Sequence, residues 1–424
     1  MPLKSNSIVM RMHFKLTRQQ LSKAKGFISM TLSRFILIST ILLFLKPGLK
    51  ASTSANEDAK IYLDDEPIIS ARSSGLGGAM STVADGIHAP FFNPAGIGGV
   101  HGHKTNPPFV RLFHFPYLGS SFNKNGYNLY TTLKGNKEND TKIAEDLLNT
   151  SQGQRHYARL TGLFGIVLKR LILLYYSDSQ IAAYHDPLED SVNNISTTFK
   201  AQSGPGAGFS VTDNKAVFSL GVFTYLNQKS LYSGQNSYES LVSPLHNLSG
   251  AFRSDLRKYS GLATNLGMIW VLGKEAKPTL ALVVKDIGTT KYSFQGDSSI
   301  LESPKDKTLT SEENITLGFS ISPKILKIGI FNLNIEAQKL SERKTSLYEK
   351  IKISGEAHFG GFGKNAFLGL RAGYNHAGPS MGINLDLGLT QFELSSHSED
   401  IGIGNAHVVE RRYTAVFSVD VLEN

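Results

Sequence analysis

Apolar and polar residues alternate along most of the chain from about Gly126 onward. Within 351–359, for example, Ile351 and Ile353 fall on one face while Lys352 and Glu356 fall on the other. A period of two residues indicates β-strands, because successive side chains of a strand point to opposite faces. The pattern predicts roughly 14 strands, an even number as in bacterial outer-membrane barrels. The predicted strands are 125–134, 156–168, 170–184, 197–212, 215–228, 258–273, 278–294, 310–322, 325–339, 349–360, 365–376, 379–387, 390–398 and 408–421.

The two faces of these strands differ in chemistry. The polar faces are too charged for the core of a β-sandwich, and the apolar faces are too continuous to face water. Alternation with apolar residues outward and polar residues inward is typical of barrels in the bacterial outer membrane. The sequence therefore predicts an all-β fold, a transmembrane antiparallel β-barrel of about 14 strands. The predicted lumen-facing residues are Glu336, Lys352, Glu356, Arg371, Asp386 and Glu393.

These lumen-facing charges allow two interpretations. They either line a polar pathway through the barrel or form a salt-bridged network that fills it, since an unpaired charge in a narrow lumen is costly. The cost of an unpaired charge favours the salt-bridged network.

The connections between strands alternate in length. Short turns, as near Lys169, alternate with long segments such as 135–155 and 229–257, as periplasmic turns and extracellular loops do in such barrels. With a periplasmic C-terminus, this alternation makes 125–134 the first wall strand. It leaves Pro108–Leu118 before the barrel.

The stretch Ala71–Val100 departs from the alternation because it is dense in Gly and Ala. Gly75, Gly77 and Gly78 lack a Cβ atom, which permits tight turns and close approach to other surfaces. Asn93-Pro94 initiates a turn, because proline restrains the residue before it. The stretch is too flexible for a stable helix and too small-sided for a core strand, so it predicts a compact coil packed inside another structure.

The first 51 residues form a distinct leader. They carry nine Lys and Arg residues and no acidic residue, which accounts for the whole formal charge of +9. Phe35–Leu45 is apolar, too short for a membrane-spanning helix and suited to the centre of a signal peptide. The predicted organisation is a leader with signal peptide at 1–51, an N-terminal hatch segment at 52–124 and an outer-membrane barrel at 125–424. An uncleaved anchor helix and a start at Met30 are the alternatives.

The amino-acid composition argues against several classes of function. Without the leader the chain is neutral, so the basic balance does not indicate a nucleic-acid partner. The chain has no cysteine, and none of its 12 His lies in a recognisable nucleophile motif. His101-Gly102-His103 has no carboxylate or cysteine close in sequence, which favours a solvated turn over a metal site. We therefore expect no enzymatic activity, no cofactor and no metal site.

Two regions resemble the outer-membrane long-chain fatty-acid transporter superfamily, which includes the PorV-type proteins of type IX secretion. The first is Ala71–Gly96, which reads AR-x-x-GLGGA-x-x-x-VAD and then NPAG, and which is similar to that family's N-terminal hatch. The second comprises Leu370–Asn375, Ser398–Gly402 and Glu410–Tyr413, and Lys285–Gly288 fits the same pattern. We refer to Ala71–Gly96 as the hatch. The hatch residues that the resemblance indicates are Gly75, Gly77, Gly78, Asp85, Asn93, Pro94, Ala95 and Gly96.

The resemblance implies passive uptake of hydrophobic compounds, such as long-chain fatty acids, across the outer membrane of a bacterial cell. It implies outer-membrane lipid, a hydrophobic small-molecule ligand and the barrel-assembly machinery as partners. The alternative is a PorV-like outer-membrane partner protein that binds or tethers secreted cargo. An apolar lumen beside the hatch favours transport, whereas a charge-filled lumen without a cavity favours the partner role.

The resemblance also implies an entry groove formed by extracellular loops, which correspond here to about 229–257 and 295–309. The first loop contains apolar residues spaced as in a short amphipathic helix, which either contributes to the groove or covers its own apolar face. These apolar residues are Tyr238, Leu241, Val242, Leu245 and Phe252.

Overall fold

The structure is a computed structural model. In the part of the chain that it describes, sixteen β-strands form one antiparallel sheet. The leader at 1–51 and the five apolar loop residues Tyr238, Leu241, Val242, Leu245 and Phe252 lie outside the described residues. The described residues are Leu63 and 66–98, 111–127, 154–168, 170–185, 195–213, 217–236, 256–273, 276–296, 307–323, 329–342, 346–359, 368–387, 390–401 and 408–422.

The described helices are short. They include α1 (Ala71–Gly75), α2 (Ala89–Phe92) and α3 (Leu347–Lys350), with 3-10 turns at Gly86–His88 and Pro94–Gly98, and the described residues 124–127 are also helical. No helix among the described residues is long and apolar enough to cross a membrane. The strands are β1 (Arg111–Asn123), β2 (Arg155–Leu168), β3 (Leu171–His185), β4 (Ile195–Thr212), β5 (Phe218–Asn236), β6 (Arg257–Val271), β7 (Thr279–Lys285), β8 (Thr290–Phe294), β9 (Thr308–Ser311), β10 (Asn314–Ile321), β11 (Gly329–Ala337), β12 (Ile351–Phe359), β13 (Leu368–Asn375), β14 (Gly378–Asp386), β15 (Thr390–Asp400) and β16 (Val409–Leu422).

The sheet closes on itself. Strand β1 pairs with both β2 and β16, and the pairing of β5 with β6 completes the ring. Strands β7 and β8 both pair with β6 and are two halves of one wall strand, as are β9 and β10. The described wall therefore has 14 strands, which confirms the predicted fold class of a 14-strand antiparallel barrel.

The first wall strand differs from the prediction. It is β1, Arg111–Asn123, rather than the segment 125–134, so the wall begins within the range assigned to the hatch segment. Alternating loop lengths fix only the direction of the first strand, and both segments satisfy that condition. Pro116 also obscures the pattern, since it lies in a register shift between His114 and Tyr117. The strand count is unchanged because β1 takes the place of 125–134.

Three further boundaries differ. The predicted strand 278–294 is interrupted at Asp286–Thr289, where Asp286, Gly288 and Thr289 have positive φ and form a bulge. The predicted strand 310–322 is likewise split, into β9 and β10. Strand β5 continues to Asn236, so the loop predicted from residue 229 begins later and Lys229 is a wall residue.

The wall is uneven in height. Strands β4 and β5 have 18 and 19 residues, whereas β12, β13 and β14 have 8 or 9. The turns at the end that carries Arg111 and Leu422 are short, as periplasmic turns are in such barrels. The extra length of β4 and β5 therefore lies at the opposite end, the loop end.

The outer surface of the wall is apolar. Leu262 and Leu394 are 66% and 56% exposed, and an apolar surface of this kind suits contact with lipid acyl chains. We expect Leu394→Arg to destabilise the membrane-inserted barrel by about 2–4 kcal/mol if the site lies near the bilayer midplane. Urea titration of the folded, heat-modifiable species measures this loss.

A matched control for Leu394→Arg is Val409→Arg. Val409 is 45% exposed on the outer face but is the first residue of β16, at the loop end of the wall. The cost of a lipid-facing Arg falls to about 0–1 kcal/mol near the membrane interfaces, so the same change there is expected to have little effect. Equal destabilisation by both variants would contradict a lipid-facing position for Leu394.

Candidate functional site

The hatch lies inside the barrel, and its apolar side chains form the centre of the buried core. Leu76, Met80 and Phe91 are at most 1% exposed. Ser70 caps the N-terminus of helix α1, and its Oγ accepts a hydrogen bond from the amide of Ser73. It is followed by Gly77 and Gly78 at φ +60° and +87°, values that favour glycine. The chain therefore turns back sharply within the lumen.

Glycines of the wall provide the space for this close packing. A Cβ atom at Gly373 would overlap the backbone at Leu76, and one at Gly221 would overlap the backbone at Pro94. The same holds for Gly318 against the side chain of Ser81, and Gly75 in the hatch packs against Gly382. We call Gly221, Gly267, Gly318 and Gly373 the glycine seats. The alternation pattern gave no sign of them, because glycine fits either face of a strand.

Asn93 holds the last turn of the hatch against the wall. Its Nδ2 donates to the carbonyl oxygens of Ser81 (2.9 Å) and Met268 (3.2 Å), and its Oδ1 accepts from the amide of Ala95 (3.1 Å). The side chain is fully buried, beside the seat at Gly267. Pro94 then starts the 3-10 turn, and a Cβ atom at Gly96 would overlap the carbonyl of Ala84. Four of the predicted hatch residues, Asn93, Pro94, Ala95 and Gly96, therefore form one turn that packs on β5 and β6.

An ionic network joins the hatch to strands β12 and β13. Arg72 donates through Nε and Nη2 to both carboxylate oxygens of Glu356, at 2.9 and 2.8 Å, and through Nη1 to Asp85 at 2.6 Å. Glu356, with no exposed surface, also accepts from Arg371 Nε at 2.9 Å. Arg371 in turn contacts Glu393 at 3.3 Å. Three of the predicted lumen-facing charges thus form a salt-bridged network around a hatch cation.

The electrostatics of this network keep Arg72 charged. Burial acts to lower the pKa of Arg72, but the carboxylates of Asp85 and Glu356 outweigh it and hold that pKa above its ordinary value. The two parallel hydrogen bonds to Glu356 add geometric specificity to the charge pair. Arg72 belongs to the hatch motif AR-x-x-GLGGA but was not among the predicted hatch residues, although it is the only Lys or Arg between residues 66 and 98. The lack of any other Lys or Arg in this range is the feature of the sequence that could have identified Arg72.

A second anchor holds the residues just before the hatch. Arg159 donates to the carbonyl oxygen of Glu66 at 2.5 Å and to Asp178 at 2.8 Å. Tyr117 donates to the carbonyl oxygen of Ile69 at 2.9 Å, and the amide of Ile69 donates to Thr161 at 3.3 Å. The segment from Glu66 to Ile69 is therefore tied to β1 and β2, on a different side of the lumen from Glu356.

The remaining predicted lumen-facing residues have separate positions. Glu336 is buried and accepts from the amide of Ser81 at 2.7 Å, a further contact with the hatch. Lys352 extends to Gly78, so that a Cβ atom there would meet its Nζ. Asp386 is the last residue of β14, at the end with the short turns.

A cavity of about 1030 Å³ lies between the hatch and the loop end of the barrel. Its charged lining contains nine acidic and seven basic residues, among them Glu336, Lys352 and Glu399. One part of the lining is different, because the rings of Phe92, Tyr225 and Tyr292 contribute to it. We call these three residues the aromatic side. The lumen thus has a cavity and a charged lining together, which neither of the two sequence-based expectations anticipated.

The aromatic side continues into the core of the hatch. Phe91 packs edge-on against Tyr176, Phe223 and Tyr225, with ring centroids 5.4, 5.2 and 5.8 Å apart. Such pairs add to the burial of apolar area. The cluster packs α2 of the hatch against β3 and β5, so the hatch and this part of the wall share one aromatic core beside the cavity. Among the described residues, no group of three or more His, Cys, Asp or Glu side chains is placed to hold a metal ion.

A closed barrel with an apolar outer surface and a polar lumen defines a bacterial outer-membrane β-barrel protein. Among solved structures the chain is similar to a TodX deltaS2S3 mutant, a monoaromatic hydrocarbon channel (TM-score 0.49, 11% identity, 83% of this chain and 98% of that chain). It is also similar to the Pseudomonas putida toluene transporter TodX (0.47, 11%, 85% and 100%) and to a Pseudomonas aeruginosa FadL homologue (0.40, 11%, 82% and 97%). No protein-family model and no curated protein matches the chain. At 11% identity the likeness is one of fold and does not bear on what enters the barrel.

Proposed function

We propose that this protein is an outer-membrane channel that admits hydrophobic and amphipathic small molecules, with the hatch closing its lumen. The observation that carries the proposal is the cavity of about 1030 Å³ above the hatch. Ligand sites are concave and combine apolar surface with a few convergent polar groups. The aromatic side of this cavity, set among charged residues, has that composition.

The hatch has the features of a closure. It fills the lumen below the cavity, and two separate anchors, at Glu356 and at Arg159, hold it and the segment before it. A barrel wall satisfies its own backbone hydrogen bonds, so these anchors are not needed to keep the wall intact. Their role in the proposal is to hold the channel closed until the hatch rearranges.

Uptake by intact cells tests the proposal. Cells that contain the protein should take up toluene or decanoate at a higher initial rate than cells that lack it. The difference should vanish once the outer membrane is permeabilised, because the proposed channel acts only at that barrier. Equal rates in intact cells with and without the protein would contradict the proposal.

A second candidate function is that of a PorV-like partner protein for secreted cargo. The observation in its favour is the charged lining at the loop end, which includes Glu349, His376 and Asp400. A protein partner with complementary charges suits such a surface. Loss of a secreted protein from the cell surface when this chain is absent supports this function, and an unchanged set of surface proteins counts against it.

A further inference from the structure

Strand β5 brings four side chains of different chemistry onto the inner face of the wall. Phe223, Tyr225, Asn227 and Lys229 occupy alternate positions and are each at most 7% exposed. Alternate residues of a strand share a face, so these four form one vertical row. The last three line the cavity, whereas Phe223 packs against Phe91 of the hatch.

Two polar groups in this row have hydrogen-bonding capacity left over. The Oδ1 of Asn227 is buried and has no hydrogen-bond partner among the described residues, while its Nδ2 donates to the hydroxyl of Tyr292 at 3.4 Å. The hydroxyl of Tyr225 forms no hydrogen bond with any residue that the structure describes. Buried polar groups in proteins are normally paired. An acceptor and a hydroxyl, two positions apart on a cavity wall, therefore suit a ligand group that both donates and accepts.

Aromatic rings and Lys ammonium groups lie together beside these polar groups, and both attract an aromatic ligand. Lys229 Nζ lies 4.1 Å from the ring centroid of Tyr292, and Lys285 Nζ lies 5.5 Å from that of Phe92. Tyr225 stacks on Phe223 with centroids 5.2 Å apart. Aromatic rings pack on one another in offset or edge-on geometries that an acyl chain does not reproduce. The other side of the cavity is charged, so it offers no continuous apolar path for a long chain.

We propose that the aromatic side of the cavity, with Tyr225 and Asn227, binds single-ring aromatic compounds that carry a hydroxyl group. The ring packs against Phe92, Tyr225 and Tyr292, and the ligand hydroxyl donates to Asn227 Oδ1 while it accepts from the Tyr225 hydroxyl. This inference rests on the proposed uptake function and narrows its substrate class.

A pair of probes that differ by one hydroxyl group tests the inference. p-Cresol and toluene have the same ring and methyl group, but the hydroxyl makes p-cresol prefer water, so a purely apolar site would bind toluene more tightly. Equilibrium dialysis of the full chain in nanodiscs, with empty nanodiscs as background, should show tighter binding of p-cresol. Decanoate is the acyl-chain comparison and should bind more weakly than p-cresol.

The chain provides a matched pair of variants. Tyr225→Phe removes the hydroxyl that lines the cavity and should weaken p-cresol binding about two- to tenfold, the range of one net hydrogen bond, and leave toluene binding unchanged. Tyr176→Phe removes a buried hydroxyl that likewise has no hydrogen-bond partner in the described part of the chain. The ring of Tyr176 lies 5.8 Å from that of Tyr225. It lies outside the cavity lining and should change neither affinity.

The outcomes separate this inference from the proposed function. Tighter binding of toluene or decanoate than of p-cresol, or equal p-cresol binding by the wild type and Tyr225→Phe, overturns the inference and leaves uptake intact. Uptake that is equal in cells with and without the protein overturns the function itself. A preference for p-cresol that Tyr225→Phe removes and Tyr176→Phe retains supports the inference.

Discussion

Deletion of Ala71–Gly96 is expected to leave a closed barrel in the membrane and to convert it into an open pore. The wall satisfies its own backbone hydrogen bonds, so the hatch is not required for the strands to form a closed barrel. Without the hatch the lumen loses the side chains that fill it, among them Leu76, Met80 and Phe91. Barrels of 16 to 18 strands without such filling hold aqueous channels, and a 14-strand wall is close to that size.

Conductance in planar bilayers and heat-modifiable migration of the same preparation check this expectation. The double substitution Asn93→Ala with Pro94→Ala retains the hatch but removes the contacts of Asn93 with Ser81 and Met268, so it should give a smaller rise in conductance. A deletion variant that assembles and conducts no more than the intact protein would show that the hatch is not a closure.

Glu356→Gln is expected to release the hatch from β12 without opening the wall. The change removes the charge that pairs with Arg72 and Arg371. Loss of one partner from a buried ion pair typically costs about 3–5 kcal/mol, because the remaining charge is uncompensated. Asp85 still contacts Arg72, so we expect the lower part of that range. Hydrogen exchange of the amides from Ser73 to Gly78 should accelerate accordingly, while the strand amides should not.

The neighbouring acid Glu393 provides the control for this variant. It contacts Arg371 at 3.3 Å and makes no contact with Arg72. Glu393→Gln should therefore affect the hatch amides much less than Glu356→Gln does. A double-mutant cycle with Arg72→Met isolates the coupling between Arg72 and Glu356. Additive effects of the two single changes would contradict a direct role of this pair in holding the hatch.

The barrel was predictable because one physical rule governs most of its residues. In a wall with lipid outside and a polar lumen inside, apolar and polar residues must alternate along each strand. The sequence alone therefore predicts that residues such as Lys352, Glu356 and Arg371 face the lumen. The same alternation does not predict where a strand begins or ends. The bulge at Asp286–Thr289, which contains residues with positive φ, interrupts a wall strand. The alternation of apolar and polar residues in the sequence does not reveal this interruption.

The site was less predictable because it depends on contacts between distant parts of the chain. Arg72 and Glu356 are 284 residues apart, and no local pattern relates them. The glycine seats fit the hatch only once the barrel has closed around it. The aromatic side combines Phe92 from the hatch with Tyr225 and Tyr292 from two strands. Periodicity describes each of these segments separately and cannot show which surfaces meet.

The unequal strand lengths give the barrel an oblique mouth. At about 3.3 Å per residue and a tilt of roughly 45°, β5 rises about 45 Å, whereas β13 rises about 20 Å. The C-terminal part of β5 therefore extends beyond the bilayer at the loop end and forms a raised part of the wall beside the cavity. If the protein takes up small molecules as proposed, β12–β14 form the low side of the described wall on their route, and β5, with Tyr225 on its inner face, stands on the opposite side.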